Sequence, residues 1–403
     1  MKYDFTTLPE RRGHDALALD AIGKPDGFIP GAPKEGFSAI PMWVADMNFV
    51  AAPTIIEHII DRLKYPTFGY FSDSDEYFES IIRWRRDRHG VELKKEWIGY
   101  ENGVLGCLAT ALRAFTEKGE GVLLNGPTYV GFLGTLRATE RRAVVSKLVQ
   151  DSHGVYRLDL ADMEAKIKAE NIRFAIFCSP YNPIGRVWER EEILAVTELF
   201  KKYDITVFSD EIWSDILLDG HKFIPTASVS EDAANRTVTA CAPSKTFNLA
   251  GLIGAYHIIP NPELRERMKK ESDATHYNNM NVISQHALCG AYTPEGEQWT
   301  DELCCVLSEN VAHGWRRIRQ LCPESKAYKP QGTYMLFIDF GEYLARKGMT
   351  LDELLQAGWD VGVIWQDGRA FGGENSIRMN LALPFECVCE AFDRLEKYVF
   401  TDC

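Results

Sequence analysis

Between residues 45 and 292, short apolar runs rich in β-branched residues alternate with stretches whose apolar positions recur every three or four residues. The runs are "GVLLN" from 121, "RAVVSKLV" from 142, "RFAIFC" from 173, "DITVFS" from 204, "RTVTAC" from 236 and "GAYHII" from 254. The intervening stretches include "EREEILAVTELFKKY", which sets Ile193, Leu194, Val196, Leu199 and Phe200 on one side of a helix. Strands buried on both faces and separated by helices predict a largely parallel sheet, hence an α/β domain.

After about residue 293 the rhythm changes. A long helix is followed by a strand "TYMLFIDF" from 333, a short helix "LDELLQAG" from 351, strands near 361 and 376, and a closing helix. This grouping predicts a smaller α+β domain, built from 293–403 and joined by residues 1–44.

Composition narrows the function classes. Apolar residues make up 45% and charged ones 26%, the balance of a globular protein. A formal net charge of -13 opposes binding to nucleic acid or an anionic membrane. The run Arg83, Arg85, Arg86 and Arg88 reads as a solvated helix face. No stretch reaches the roughly 20 apolar residues of a spanning helix, and Met1–Asp4 does not open a secretory signal, so a cytoplasmic location is expected. The ten cysteines are scattered without a C-x-x-C pair, so neither a disulfide framework nor a metal site is expected. Cys387 and Cys389 lie on the closing amphipathic helix, where their side chains diverge.

Two residues carry candidate chemistry. Lys245, in "APSKTFNLAG", follows the strand "RTVTAC" and so falls at the carboxyl edge of the sheet, where open α/β folds bind ligands. There it could snorkel from a loop, or lose solvation and offer a free amine as a nucleophile. Asp210, in "FSDEIW", ends another strand at the same edge. It could cap a helix, or hold a proton on a pyridine nitrogen. A lysine that forms an imine and an aspartate that keeps a ring nitrogen protonated are the pair that pyridoxal phosphate chemistry requires.

"SPYNPIGRVW" at 179, "SDEIW" at 209 and "APSKTFNLAGL" at 242, in that order, resemble the fold type I pyridoxal-phosphate enzymes of the aminotransferase class I/II superfamily. "PMWVADMNF" at 41 and "FGYF" at 68 add a resemblance to its MalY/PatB group of carbon–sulfur (cystathionine) β-lyases. The match extends from Pro41 to "SIRMNLALP" near 376.

The resemblance implies a pyridoxal 5'-phosphate cofactor held covalently by Lys245, which the substrate amine displaces and which then removes the α-proton. It makes Asp210 the partner of the ring nitrogen, Asn182 a donor to the phenolic oxygen and Tyr129 a stacking aromatic. Asn182 before Pro183 could equally start a turn, and Tyr129 could be structural. The glycine turn "ENGVLGCLATAL" opens a helix whose backbone N–H groups suit a phosphate, with Gly103, Val104 and Leu105 the candidates and the Ser244 hydroxyl nearby. Tyr70 would reach the phosphate of the other subunit of a homodimer; the alternative is a core or interface aromatic. Arg378 would bind the substrate α-carboxylate through its planar fork, unless it forms a surface salt bridge.

Three positions depart from the family pattern. Ile253 replaces an arginine at the phosphate, Trp213 a tyrosine beside the phenolic oxygen, and Asn48 the usual aspartate. The expected activity is β-elimination from an L-cysteine-type amino acid, releasing thiol, pyruvate and ammonia. An aminotransferase would use the same residues up to proton removal, and a pyridoxal-phosphate-binding regulator would keep the fold without turnover.

Overall fold

The structure is a computed structural model that describes residues 1–24, 26–276 and 278–401. The alternating region forms a seven-stranded sheet. Across it lie Ile98–Glu101, Ala255–Ile258, Thr237–Cys241, Thr206–Asp210, Phe174–Cys178, Gly121–Gly126 and Arg142–Lys147. Ala255–Ile258 runs antiparallel to both neighbours. The other pairings are parallel, as the buried runs required. The strands 174–178 and 237–241, on either side of the central strand 206–210, are buried at every position.

A second sheet of five strands has the order Ile40–Met42, Val363–Asp367, Ser376–Asn380, Met335–Asp339 and Lys326–Ala327. Its outermost strand comes from the N-terminal segment, with Ile40 opposite Val363. The long helix Pro294–Leu321 and the closing helix Phe385–Tyr398 bury an apolar stripe against this sheet, led by Leu303, Leu307, Val388 and Phe392.

Two details differ from the sequence reading. "RAVVSKLV" divides into Arg142–Lys147 and a short hairpin strand Val149–Gln150, which pairs with Tyr156–Arg157. The arginine run on the helix Asp75–His89 is not a solvated face. Arg85 is 2% exposed and its Nη2 lies 2.7 Å from Glu211 Oε2. The reason is helical period: Ile81, Trp84, Arg85 and Arg88 share one side, and the burial of Ile81 and Trp84 carries Arg85 inward with them.

Nine cysteines are free; Cys403 lies outside the described residues. No helix among those residues is long and apolar enough to cross a membrane.

Candidate active site

The carboxyl edge of the large sheet opens into a cavity of about 300 Å³. Gly103, Val104, Leu105, Tyr129, Asn182, Asp210, Trp213, Ser244 and Lys245 all line it. They arrive from five strand ends and helix starts, which is how a parallel sheet concentrates side chains at one edge.

Lys245 leaves the strand Thr237–Cys241 through a turn closed by the Phe247 N–H on Pro243 O. Its Nζ donates to Ala45 O at 2.9 Å and sits 5.7 Å from the centre of the Trp213 ring. Burial pushes the ammonium down to about 8, and the charge of Arg378 adds to the effect. Asp210 ends its strand, pairs in register with Cys178 and Ala240, and is 4% exposed. Burial pushes its carboxyl up to about 7, against a backbone N–H from Ile212 at 3.0 Å and the opposing pull of Lys245. No helix starts after Asp210, so the foreseen cap role is not its own; its carboxylate instead accepts from Ile212 in the turn that follows the strand.

The helix Val104–Phe115 begins at Gly103, whose φ of +84° suits only glycine, and no side chain caps it. Its first N–H groups therefore face the cavity as an anion cradle. Tyr129 starts the helix Val130–Ala138. A Cβ at Gly131 would run into its ring, so "TYVG" makes room for the aromatic. Asn182 is buried, and its Oδ1 accepts from Arg378 Nη1 at 3.4 Å, which leaves the amide N–H groups for another partner.

Arg378 stands behind Asn182 in the strand Ser376–Asn380. It is 3% exposed, donates from Nη2 to Trp43 O at 3.0 Å, stacks 4.2 Å from the Phe371 ring centre and has an unpartnered Nε. No carboxylate pairs with it among the described residues, which removes the surface salt bridge as its role. A buried guanidinium without a counter-ion has the donors to receive a small carboxylate.

Tyr70 is fully exposed and does not line the cavity. Ile253 does line it, half out in solvent, with a left-handed φ of +44°. Among the described residues the cavity lining thus has no arginine, and Lys245 is its one cation. Asn48 is buried, and its Oδ1 accepts from Arg11 Nη1 at 3.0 Å. Sequence reasoning missed the strap to which it belongs. The carbonyls of residues 43 to 47 accept side-chain N–H groups from Arg378, Asn380, Lys245, Asn380 again, and Asn248 with Arg11. Backbone acceptors leave no mark in a sequence. The motif "FNLAG", whose Asn248 doubly bonds Met47, was the one available signal.

The pattern of the family described as Aminotransferase class I and II matches residues 46–395. The chain belongs to this family. Among relatives in this aminotransferase class, the cystathionine β-lyase PatB of Bacillus subtilis is 33% identical, covering 98% of this chain and 99% of that one. The protein MalY of Escherichia coli is 26% identical and covers 95% of each. Among solved structures, cystalysin from Treponema denticola, which contains a pyridoxal 5'-phosphate cofactor, superposes with a TM-score of 0.89 at 31% identity and 98% coverage of both chains. The pyridoxal-phosphate-bound C–S lyase of Staphylococcus hominis gives 0.88 at 28% identity, covering 99% of this chain and 100% of that one. The expected α/β fold type I architecture is therefore borne out over essentially the whole chain.

Proposed function

We propose that the protein is a pyridoxal-phosphate-dependent carbon–sulfur β-lyase acting on L-cysteine-type amino acids such as cystathionine. One observation carries the reading: a partly buried amine whose pKa is lowered and a buried carboxylate share a cavity that also opens on an uncapped helix start. Buried groups of this kind are costly unless a ligand completes them. Pyridoxal phosphate does so group by group, and the relatives that bind it support the assignment. When bound, it supplies an electron sink for the substrate α-carbon.

The residues then have defined tasks. Lys245 would hold the cofactor through Nζ, and its lowered pKa would suit it, once free, to take the substrate α-proton near neutrality. Asp210 keeps a proton on the ring nitrogen. Asn182, its Oδ1 engaged by Arg378, turns an N–H to the phenolic oxygen. Tyr129 covers the ring face, and Trp213 walls the cavity beside Lys245. Gly103, Val104, Leu105 and Ser244 take the phosphate. Arg378 fixes the substrate carboxylate.

The reading includes a homodimer. Tyr65, Phe68, Tyr70 and Phe71 form an exposed aromatic run, 40% to 111% accessible, that a second copy would cover. Tyr70 of that copy would then reach the phosphate. We also propose domain limits of 45–292 against 1–44 with 293–403, which the division into two sheets supports.

The test is to incubate the purified yellow protein with L-cystathionine, L-cysteine or L-alanine, with and without a keto acid. Pyruvate and thiol formed without a keto acid support the lyase. Turnover only with a keto acid replaces it by an aminotransferase, and a colourless protein unchanged by borohydride replaces it by a non-catalytic binder.

A further inference from the structure

Two residues before Gly103, at the end of the strand Ile98–Glu101, the carboxylate of Glu101 is completely buried. That is a costly place for an anion, directly under a turn that is to receive a phosphate. Its surroundings are built to hold it. Oε1 lies 2.7 Å from His257 Nδ1, and Oε2 accepts from Asn278 Nδ2 at 2.6 Å. The Oδ1 of the same Asn278 accepts the backbone N–H of Asn102, in the turn itself, at 3.2 Å. Cys107, in the first turns of the helix that Gly103 opens, lies against the same carboxylate.

The His257 contact depends on a second sequence choice. His257 is paired with Gly99 on the adjacent strand, and a Cβ at Gly99 would overlap the imidazole. The missing side chain lets the ring lie across the strand and reach Glu101. Glutamate, histidine and cysteine in one cluster would also suit a metal ion. Here both carboxylate oxygens already have protein partners at hydrogen-bond distance, so the cluster works as a hub.

We infer that Glu101 is the positioning residue of the phosphate turn, fixing Asn102 and Gly103 from beneath, and that His257, 2.7 Å from Oε1, holds the carboxylate in place so that an anion can bind above. The inference rests on the cofactor assignment made above. It predicts an effect confined to the phosphate, which general destabilisation would not give.

The test uses apoenzyme prepared from the holoenzyme and compares dissociation constants for pyridoxal phosphate and for pyridoxal, which lacks the phosphate. His257→Gln should weaken pyridoxal phosphate about tenfold, as for loss of one charge-assisted contact, and pyridoxal less than about twofold. Adding Glu101→Gln removes the carboxylate left without that partner and should restore most of the loss. If His257→Gln does not fold, Asn278→Ala, at a half-buried position, should show the same selectivity. Equal losses for both ligands, or no loss for either, overturn the inference. A wild-type protein with no preference for the phosphorylated ligand would instead overturn the cofactor assignment.

Discussion

Replacing Asp210 by asparagine should make the empty protein more stable and the enzyme nearly inactive. Burial holds the carboxyl at about 7 against an ordinary 3.8. At 1.36 kcal/mol per pH unit, that gap is worth about 4 kcal/mol. The folded value lies above the unfolded one, so Asp210 adds stability below pH 4 and that contribution disappears as pH rises through 7. Between pH 5 and pH 8 the wild-type apoprotein should therefore lose about 2–3 kcal/mol that the asparagine variant keeps. Lys245 has the opposite dependence: its folded value lies below the unfolded one, so its contribution is lost as pH falls through about 8. It is present in both proteins and, because Asp210 is the smallest of the causes acting on it, nearly cancels in the comparison. Thermal melts of both apoproteins at pH 5 and pH 8 read the difference directly. An asparagine cannot keep the ring nitrogen protonated, so turnover of the reloaded variant should fall about 10²–10³-fold, as when one preorganised electrostatic partner is removed. A variant that melts with the wild-type pH dependence, or that turns over at the wild-type rate, would refute the reasoning.

Arg378→Lys removes the fork but not the charge; kcat/KM for the amino acid should fall about a hundredfold, near 3 kcal/mol, with cofactor affinity unchanged. Steady-state kinetics beside a cofactor titration check this, and an unaltered kcat/KM sinks the carboxylate assignment. Arg378→Ala removes one of the causes that depress Lys245, so the midpoint of the pH dependence of pyridoxal phosphate association with apoenzyme should move upward from about 8. A midpoint that stays put contradicts it. Tyr70→Phe should weaken cofactor binding about tenfold or more, as for one hydrogen bond to a charged group, while light scattering reads the proposed dimer as unchanged. Full affinity in that variant would leave Tyr70 as a packing residue alone.

Lys245 and Asp210 were legible because a parallel sheet delivers whatever follows its strands to one edge, and each of them sits at such a position. The strand Ile98–Glu101 was not: "IGYE" is short, and its middle residues are only half-buried because it pairs on one side alone. Ile40–Met42 was equally hidden, three residues interrupted by a proline. Arg85 differs for another reason: its charge suggests solvent, but its spacing from Ile81 and Trp84 puts it on the inward side of the helix. The Glu101 cluster joins residues 156 and 177 positions apart, beyond any local pattern.

The strap at 43–47 gives the fold a further consequence. It binds Arg378 and Asn380 of the small sheet at one end and Lys245 and Asn248 of the large sheet at the other. A substrate carboxylate on Arg378 and a cofactor on Lys245 would both compete for, or tighten against, the same short backbone. Arg11 pins that backbone through Asp46 at 2.6 Å and Asn48 at 3.0 Å. The asparagine at 48 therefore does not leave the strap without negative charge, because Asp46 already neutralises Arg11. An aspartate there would give Arg11 two carboxylates, and Asp46 would be freer to act on Lys245, whose pKa it raises. Asn48→Asp should accordingly shift the pH profile of kcat/KM upward on its basic-group limb without weakening the cofactor. An unshifted profile would place Asn48 outside the electrostatics of the site.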